Sequence, residues 1–161
     1  MVGGHLAAMA EVIIGHGGMV DQFIGDAVMA VFGAPEPIDD HAARAISCAL
    51  AMQARQAELN LGVEADGRPT VVMGIGINTG RVVAGTVGGA GRLEYTVFGD
   101  AVNIASRLQS EAAGGEIVVS STTIAAAPGI GAEPIGPRYV KGREEPVEVY
   151  RVLAPDPEVA P

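Results

Sequence analysis

Tryptophan is missing from this chain of 161 residues, cysteine occurs once, and only one of the ten basic residues is a lysine, Lys141. Each shortage excludes something. The single cysteine, Cys48, leaves no intrachain disulfide, so the fold must hold by packing alone, and a reducing compartment, the cytoplasm, is expected. Three Phe and three Tyr leave the core to Val, Ile, Leu, Ala and Met. No apolar run approaches the roughly 20 residues of a membrane span, and no secretory signal opens the chain; we expect a soluble protein without direct membrane contact. Basic residues are also few beside 19 acidic ones, giving a net charge of −9. That balance excludes a sequence-independent grip on a nucleic-acid backbone, which needs clustered cations. An anionic ligand must instead be met by a few well-placed positive groups. His5, His16, His41 and Cys48 show no metal-ligand spacing, and Cys48 reads as a small core residue.

What is present alternates between helical and strand-like patterns. Leu6, Met9, Ala10 and Ile13 recur at helical spacing within Gly3 to His16, and Gly15, Gly17 and Gly18 end that helix. Pro35 and Pro37 precede a second helix, Asp39 to Leu59, which Asp39 or Asp40 could cap, and Leu61 to Pro69 reads as a loop. Thr70 to Asn78 and Glu116 to Ser120 are strand candidates, and Gly85 to Gly91 is a glycine-rich excursion. Pro128 to Pro137 is irregular, and Val147 to Leu153 alternates as a last strand. The glycines of Gly74-x-Gly76-x-x-x-Gly80 miss the dinucleotide-binding spacing and are read as allowing a strand to turn closely. Such an order predicts one α+β domain, helices over a mixed sheet, followed by a Pro-rich tail or linker at residues 154–161.

Two segments carry chemistry. From Leu93 to Arg107 a strand-like run ends at Gly99 and opens a helix on which Asn103 and Arg107 stand four residues apart, projecting from one side. Val102, Ala105, Leu108 and Ala112 form the inward stripe, so the polar pair faces out. A guanidinium fork matches phosphoryl oxygens, and an amide orients a sugar or water without adding charge; alternatively, Arg107 simply pairs with Glu111, one turn on. In the second segment, Met19 to Ile24 and Ala27 to Phe32 flank Gly25-Asp26, a dipeptide suited to a hairpin turn. Asp26 at that tip could hold Mg²⁺ together with phosphate oxygens, or serve the turn alone.

Together these segments resemble the catalytic domain of class III nucleotidyl cyclases, the adenylate and guanylate cyclase family. The similarity runs from Gly18 to about Leu153 in four ordered blocks: Val20-Asp21-Gln22-Phe23-Ile24-Gly25-Asp26-Ala27-Val28-Met29-Ala30-Val31-Phe32-Gly33; Gly74-Ile75-Gly76-Ile77-Asn78-Thr79-Gly80 with Val83-Ala84-Gly85; the strand-to-helix segment; and Val140-Lys141-Gly142 followed by Pro146-Val147-Glu148-Val149-Tyr150. The resemblance implies a ferredoxin-like, palm-like catalytic domain over residues 1–153. It implies conversion of ATP, or GTP as the alternative, into a 3′,5′-cyclic monophosphate and pyrophosphate. Asp26 would be a metal carboxylate, Arg107 would stabilise the α-phosphate, Asn103 would orient the ribose, and Lys141 would meet the terminal phosphates. Gln22 and Thr96 occupy the base-reading positions. Two Mg²⁺ or Mn²⁺ ions per site are implied, at the interface of a homodimer or of a heterodimer with another cyclase domain.

Departures from the family pattern leave two readings open. The family's first metal-binding Asp lies on a strand before the first helix, and this chain is expected to begin too late to contain it. Gln22 stands where adenylate cyclases carry Lys and guanylate cyclases Glu, while Thr96 resembles a subgroup of adenylate cyclases. Both could also be ordinary strand residues. The domain is then either an adenylate cyclase or a non-catalytic, half-site dimerisation or regulatory module.

Overall fold

The computed structural model describes residues 2–91 and 93–154; most of the expected tail, residues 155–161, lies outside them. The order is α1 (Val2–Gly15), β1 (Met19–Ile24), β2 (Ala27–Val31), α2 (His41–Ala65), β3 (Ile75–Ile77), β4 (Val83–Val87), β5 (Glu94–Phe98), α3 (Asp100–Glu111), β6 (Ile117–Ser120), α4 (Ser121–Ala126), β7 (Ala132–Arg138) and β8 (Val147–Val152). It is an α+β fold, as expected.

The strands form a four-stranded sheet of order β3-β6-β8-β7 and two hairpins, β1-β2 and β4-β5. β3 runs parallel to β6, and β8 lies antiparallel to both β6 and β7, so the sheet is mixed. Three hydrophobic clusters hold the layers. Ile46 and Ala49 of α2 pack on Ile117 and Val119, whereas Met9 and Ile13 of α1 meet Cys48 and Met52 together with Val28 and Ala30 of β2 and Ile75 of β3. Ile104 and Leu108 of α3 pack on Val118, Val140 and Val149. Although β2 and β3 line the same cluster, they share no ladder, and each keeps one edge unpaired among the described residues.

The β1-β2 turn falls at Gly25-Asp26, with Gly25 at φ +60°, a conformation that costs any residue with a Cβ. Register then slips: Val20 faces Ala30 and Gln22 faces Met29, leaving Asp21 as an extra, bulged residue.

Several expectations are corrected. α2 continues through the expected loop to Ala65 and ends where Gly67, at φ +73°, closes a Schellman-type cap, Arg68 N donating to Val63 O at 3.0 Å. Asp40 is its N-cap residue, but the carboxylate pairs with Arg44 Nε at 2.8 Å instead of the helix backbone. Within the expected strand 70–78 only Ile75–Ile77 joins a ladder, because side-chain amides of α2 take the preceding backbone. Asn60 bonds both N and O of Val71, and Gln53 donates to Met73 O at 2.9 Å. The Gly85 to Gly91 excursion begins inside β4. The segment taken as irregular contains β7, whose Pro134 and Pro137 are accommodated on the outermost strand, where a missing N–H costs least. Short α4 had no signal of its own. Finally, Gly74 and Gly76 admit a helix rather than a sharp turn: a Cβ on Gly76 would lie 2.2 Å from Gln109 N and 2.7 Å from Ala105 O. α3 therefore lies directly on β3.

Candidate functional site

α3 is the element on which the site is built. Its N-cap is Gly99, at φ +141°, so β5 passes into the helix through a bend that favours glycine. Beneath the first turn, Asn78 Nδ2 donates to Ala101 O at 3.0 Å while Asn78 Oδ1 accepts from Ser120 Oγ at 2.6 Å. Thr79 and Thr123 extend this network at 2.9 Å. Ile104 and Leu108 turn inward and are almost fully buried, with Val102, Ala105 and Ala112 half-buried, so the opposite face presents Asn103 and Arg107 outward.

In front of that face lies an open cleft of about 1100 Å³, lined among others by Asp21, Gln22, Thr96, Phe98, Asp100 and Asn103. Three of the residues singled out in the sequence, Gln22, Thr96 and Asn103, thus share one cavity although they come from β1, β5 and α3. The cleft lining mixes apolar residues, Phe23, Val87 and Tyr95 among them, with polar ones suited to hydrogen bonding. Gln22 is exposed and its amide makes only a long 3.9 Å contact with Met29 Sδ. Thr96 donates its hydroxyl to Asp21 Oδ2 at 3.0 Å.

The other three residues do not line the cleft. Arg107 is paired, its Nε 3.0 Å from Glu111 Oε1, and Glu111 is shared with Arg138 Nε at 2.6 Å. The ion pair weighed from the sequence is therefore present in the isolated chain. Lys141 is exposed in a turn closed by Arg143 N donating to Val140 O at 3.1 Å, with Gly142 at φ +89°. Arg143 anchors that turn to α3 through Asp100 Oδ2 at 2.6 Å. Asp26 is exposed at the hairpin tip.

For a divalent cation the donor set is partial. Among the described residues no group of three or more His, Cys, Asp or Glu side chains converges. Asp26 alone suits one flank of a Mg²⁺ ion whose remaining ligands are phosphate oxygens and water; it does not make a cage for two ions.

Residues missed in the sequence are Asp21, Asp100 and Arg143. Asp21 gave no signal because its partner Thr96 is 75 residues away and the bulge at which it sits has no sequence mark. Asp100 and Arg143 are 43 residues apart and meet only through the fold.

The chain is similar to known proteins in sequence and fold. Residues 4–154 match the adenylate and guanylate cyclase catalytic domain. Adenylate cyclase 1 of Rhizobium meliloti (strain 1021) is 35% identical over 156 residues, covering 95% of this chain and 24% of that protein. The adenylate cyclase of Anabaena cylindrica is 34% identical over 164 residues, covering 93% and 31%; the chain thus spans about a quarter to a third of these relatives' lengths. Among solved structures, the adenylyl cyclase CyaB from P. aeruginosa superimposes with a TM-score of 0.88 at 33% identity, covering 99% of this chain and 83% of that one. The guanylyl cyclase Cya2 gives 0.85 at 41% identity, covering 92% and 76%. This chain belongs to the adenylate and guanylate cyclase catalytic-domain family.

Proposed function

We propose that the domain converts ATP into 3′,5′-cyclic AMP and pyrophosphate, in the cytoplasm, as half of a dimeric cyclase. The observation that carries the reading is the convergence of Gln22, Thr96 and Asn103 on one cleft beside the α3 N-terminus. The purine lies in this cleft with Gln22 and Thr96 at its polar edge, and Asn103 holds the ribose. The 3′-oxygen attacks the α-phosphorus, its proton leaves to solvent, and the bond to the bridging oxygen of the leaving pyrophosphate breaks. Negative charge grows on the α-phosphoryl and pyrophosphate oxygens, so Arg107 and Lys141 contribute most at the transition state. Mg²⁺ or Mn²⁺, when bound, would supply Lewis acidity toward the developing charge, and Asp26 would be this chain's ligand for it.

Dimerisation is supported by geometry. Asp26 lies outside the cleft that Asn103 lines, which suits a site whose metal side comes from one protomer and whose Asn103, Arg107 and Lys141 come from the other. Exposed apolar side chains crowd the two hairpins: Phe23 (52%), Ile24 (57%), Val83 (70%), Val87 (49%) and Phe98 (48%). So many exposed apolar side chains on two hairpins suit an association face.

A second reading, a half-site module supplying only the nucleotide-binding side, is favoured by the single carboxylate at Asp26 and by the capture of Arg107 by Glu111. The full-length protein separates them. With Mg²⁺ or Mn²⁺, formation of cyclic AMP from ATP supports the enzyme, whereas nucleotide binding without product, even with an added second cyclase domain, removes it. Gln22→Lys should raise the ATP over GTP ratio of catalytic efficiencies and Gln22→Glu should lower it; an unchanged ratio takes Gln22 away from the base.

A further inference from the structure

The side chain that sets the hydrogen-bonding sense of Thr96 is Asp21. A carboxylate only accepts, so the 3.0 Å contact requires the Thr96 hydroxyl to donate its one proton to Asp21 Oδ2. The face of Thr96 left to the cleft then carries lone pairs alone. Two features hold the arrangement. Asp21 sits at the bulge in β1 and lines the cleft next to Gln22, its Oδ2 turned to Thr96. Asp21 Oδ1, shielded from solvent, has no partner among the described residues, so no competing donor draws the carboxylate away. A buried oxygen left unsatisfied costs stability and calls for a functional reason. Across the β4-β5 ladder Thr96 faces Gly85, which has no side chain to crowd the hydroxyl.

We propose that Asp21 is a positioning residue for base selection: by taking the Thr96 proton it makes Thr96 an acceptor, so the cleft favours a purine bearing an exocyclic amino group. The inference rests on the cyclase reading. It adds a residue on a neighbouring strand that decides what Thr96 recognises. Asp21→Asn is nearly isosteric but reverses the relation, because its amide can donate to Thr96 and free the hydroxyl to donate in turn.

The test is binding to the full-length protein, read by displacement of a fluorescent nucleotide and independent of turnover. The probes are ATP and its analogue without the 6-amino group, and GTP and ITP, which differ by the 2-amino group. In the wild type, removal of the recognised amino group should weaken binding up to about tenfold, the scale of one hydrogen bond in a shielded site; the pair that responds identifies which amino group is read. Asp21→Asn should shrink that ratio to under about twofold, Thr96→Val should do the same, and Thr96→Ser, which keeps the hydroxyl, should retain it. A purely structural Asp21 would lower all affinities together and leave the ratio intact, and that result overturns the proposal. If the wild type binds all four nucleotides without regard to either amino group, the Asp21–Thr96 inference falls alone. If it binds none of them, the cyclase reading falls with it.

Discussion

Arg143 reaches across the fold to Asp100, Nη1 to Oδ2 at 2.6 Å, and so ties the turn carrying Lys141 to the first residue of the helix carrying Asn103 and Arg107. Two groups proposed for opposite ends of a triphosphate are thereby held on one support. Because the pair is about half exposed, its loss should barely alter folding; such pairs contribute between nothing and about 1 kcal/mol. Arg143→Ala should instead lower kcat/KM for the triphosphate, by up to about fivefold, mostly through kcat and with little change in stability. An unchanged kcat/KM would detach the Lys141 turn from substrate.

Arg107 and Asn103 are separable from ordinary surface residues by kinetics. In the full-length protein, Arg107→Ala and Asn103→Ala should each lower kcat by roughly a hundredfold, as loss of a placed donor typically does, while nucleotide affinity shifts far less. Retention of wild-type turnover by Arg107→Ala, with a small loss of thermal stability, would reduce Arg107 to the ion pair it makes with Glu111 at 3.0 Å.

Gly76→Ala probes the seat of α3. The added Cβ would fall 2.2 Å from Gln109 N, backbone that cannot swing aside as a side chain would. Overpacking of this kind costs about 1–3 kcal/mol or more, and displacement of α3 should remove nucleotide binding as well. Gly25→Ala has open space instead and pays only for its φ of +60°, roughly 1–2 kcal/mol. Chemical denaturation of the two variants should rank them in that order.

Cys48 is a pH marker of folding. It is 2% exposed, and burial pushes its thiol from an ordinary 9.0 up to about 11. The folded chain therefore keeps a proton that the unfolded chain gives up first. This contribution to stability is complete below pH 9.0 and declines as pH rises toward about 11. Cys48→Ala should lose stability less steeply over that window, and the native thiol should resist a disulfide reagent at pH 8 until the chain unfolds.

Local pattern revealed much of this fold. The Gly25-Asp26 hairpin, the outward face of α3 and the strands around Ile117 and Val149 follow from periodicity and turn chemistry. Misread segments were those whose backbone is satisfied by distant side chains or tolerated by position in the sheet. The stretch before β3 is bound by Asn60 and Gln53 of α2, and β7 carries its prolines because it lies at the edge. The site divides in the same way. Gln22, Thr96 and Asn103 stood in motifs, but Asp21 depends on a register slip and the Arg143–Asp100 pair on chain folding, neither of which leaves a local trace.

The separation of the two hairpins from the four-stranded sheet carries a dynamic consequence. β6 is buried at every residue, whereas β4 is mostly exposed, and local opening is easiest where apolar contacts are few. Backbone amides should exchange slowly in β6 and β8 and fast in β4 and β5. Thr96, on β5, therefore stands on the softer part of the molecule while Asn103 is anchored, through α3, to the firmer part. Nucleotide spanning the cleft would join a yielding wall to a rigid one, and substrate itself would complete the order of the site.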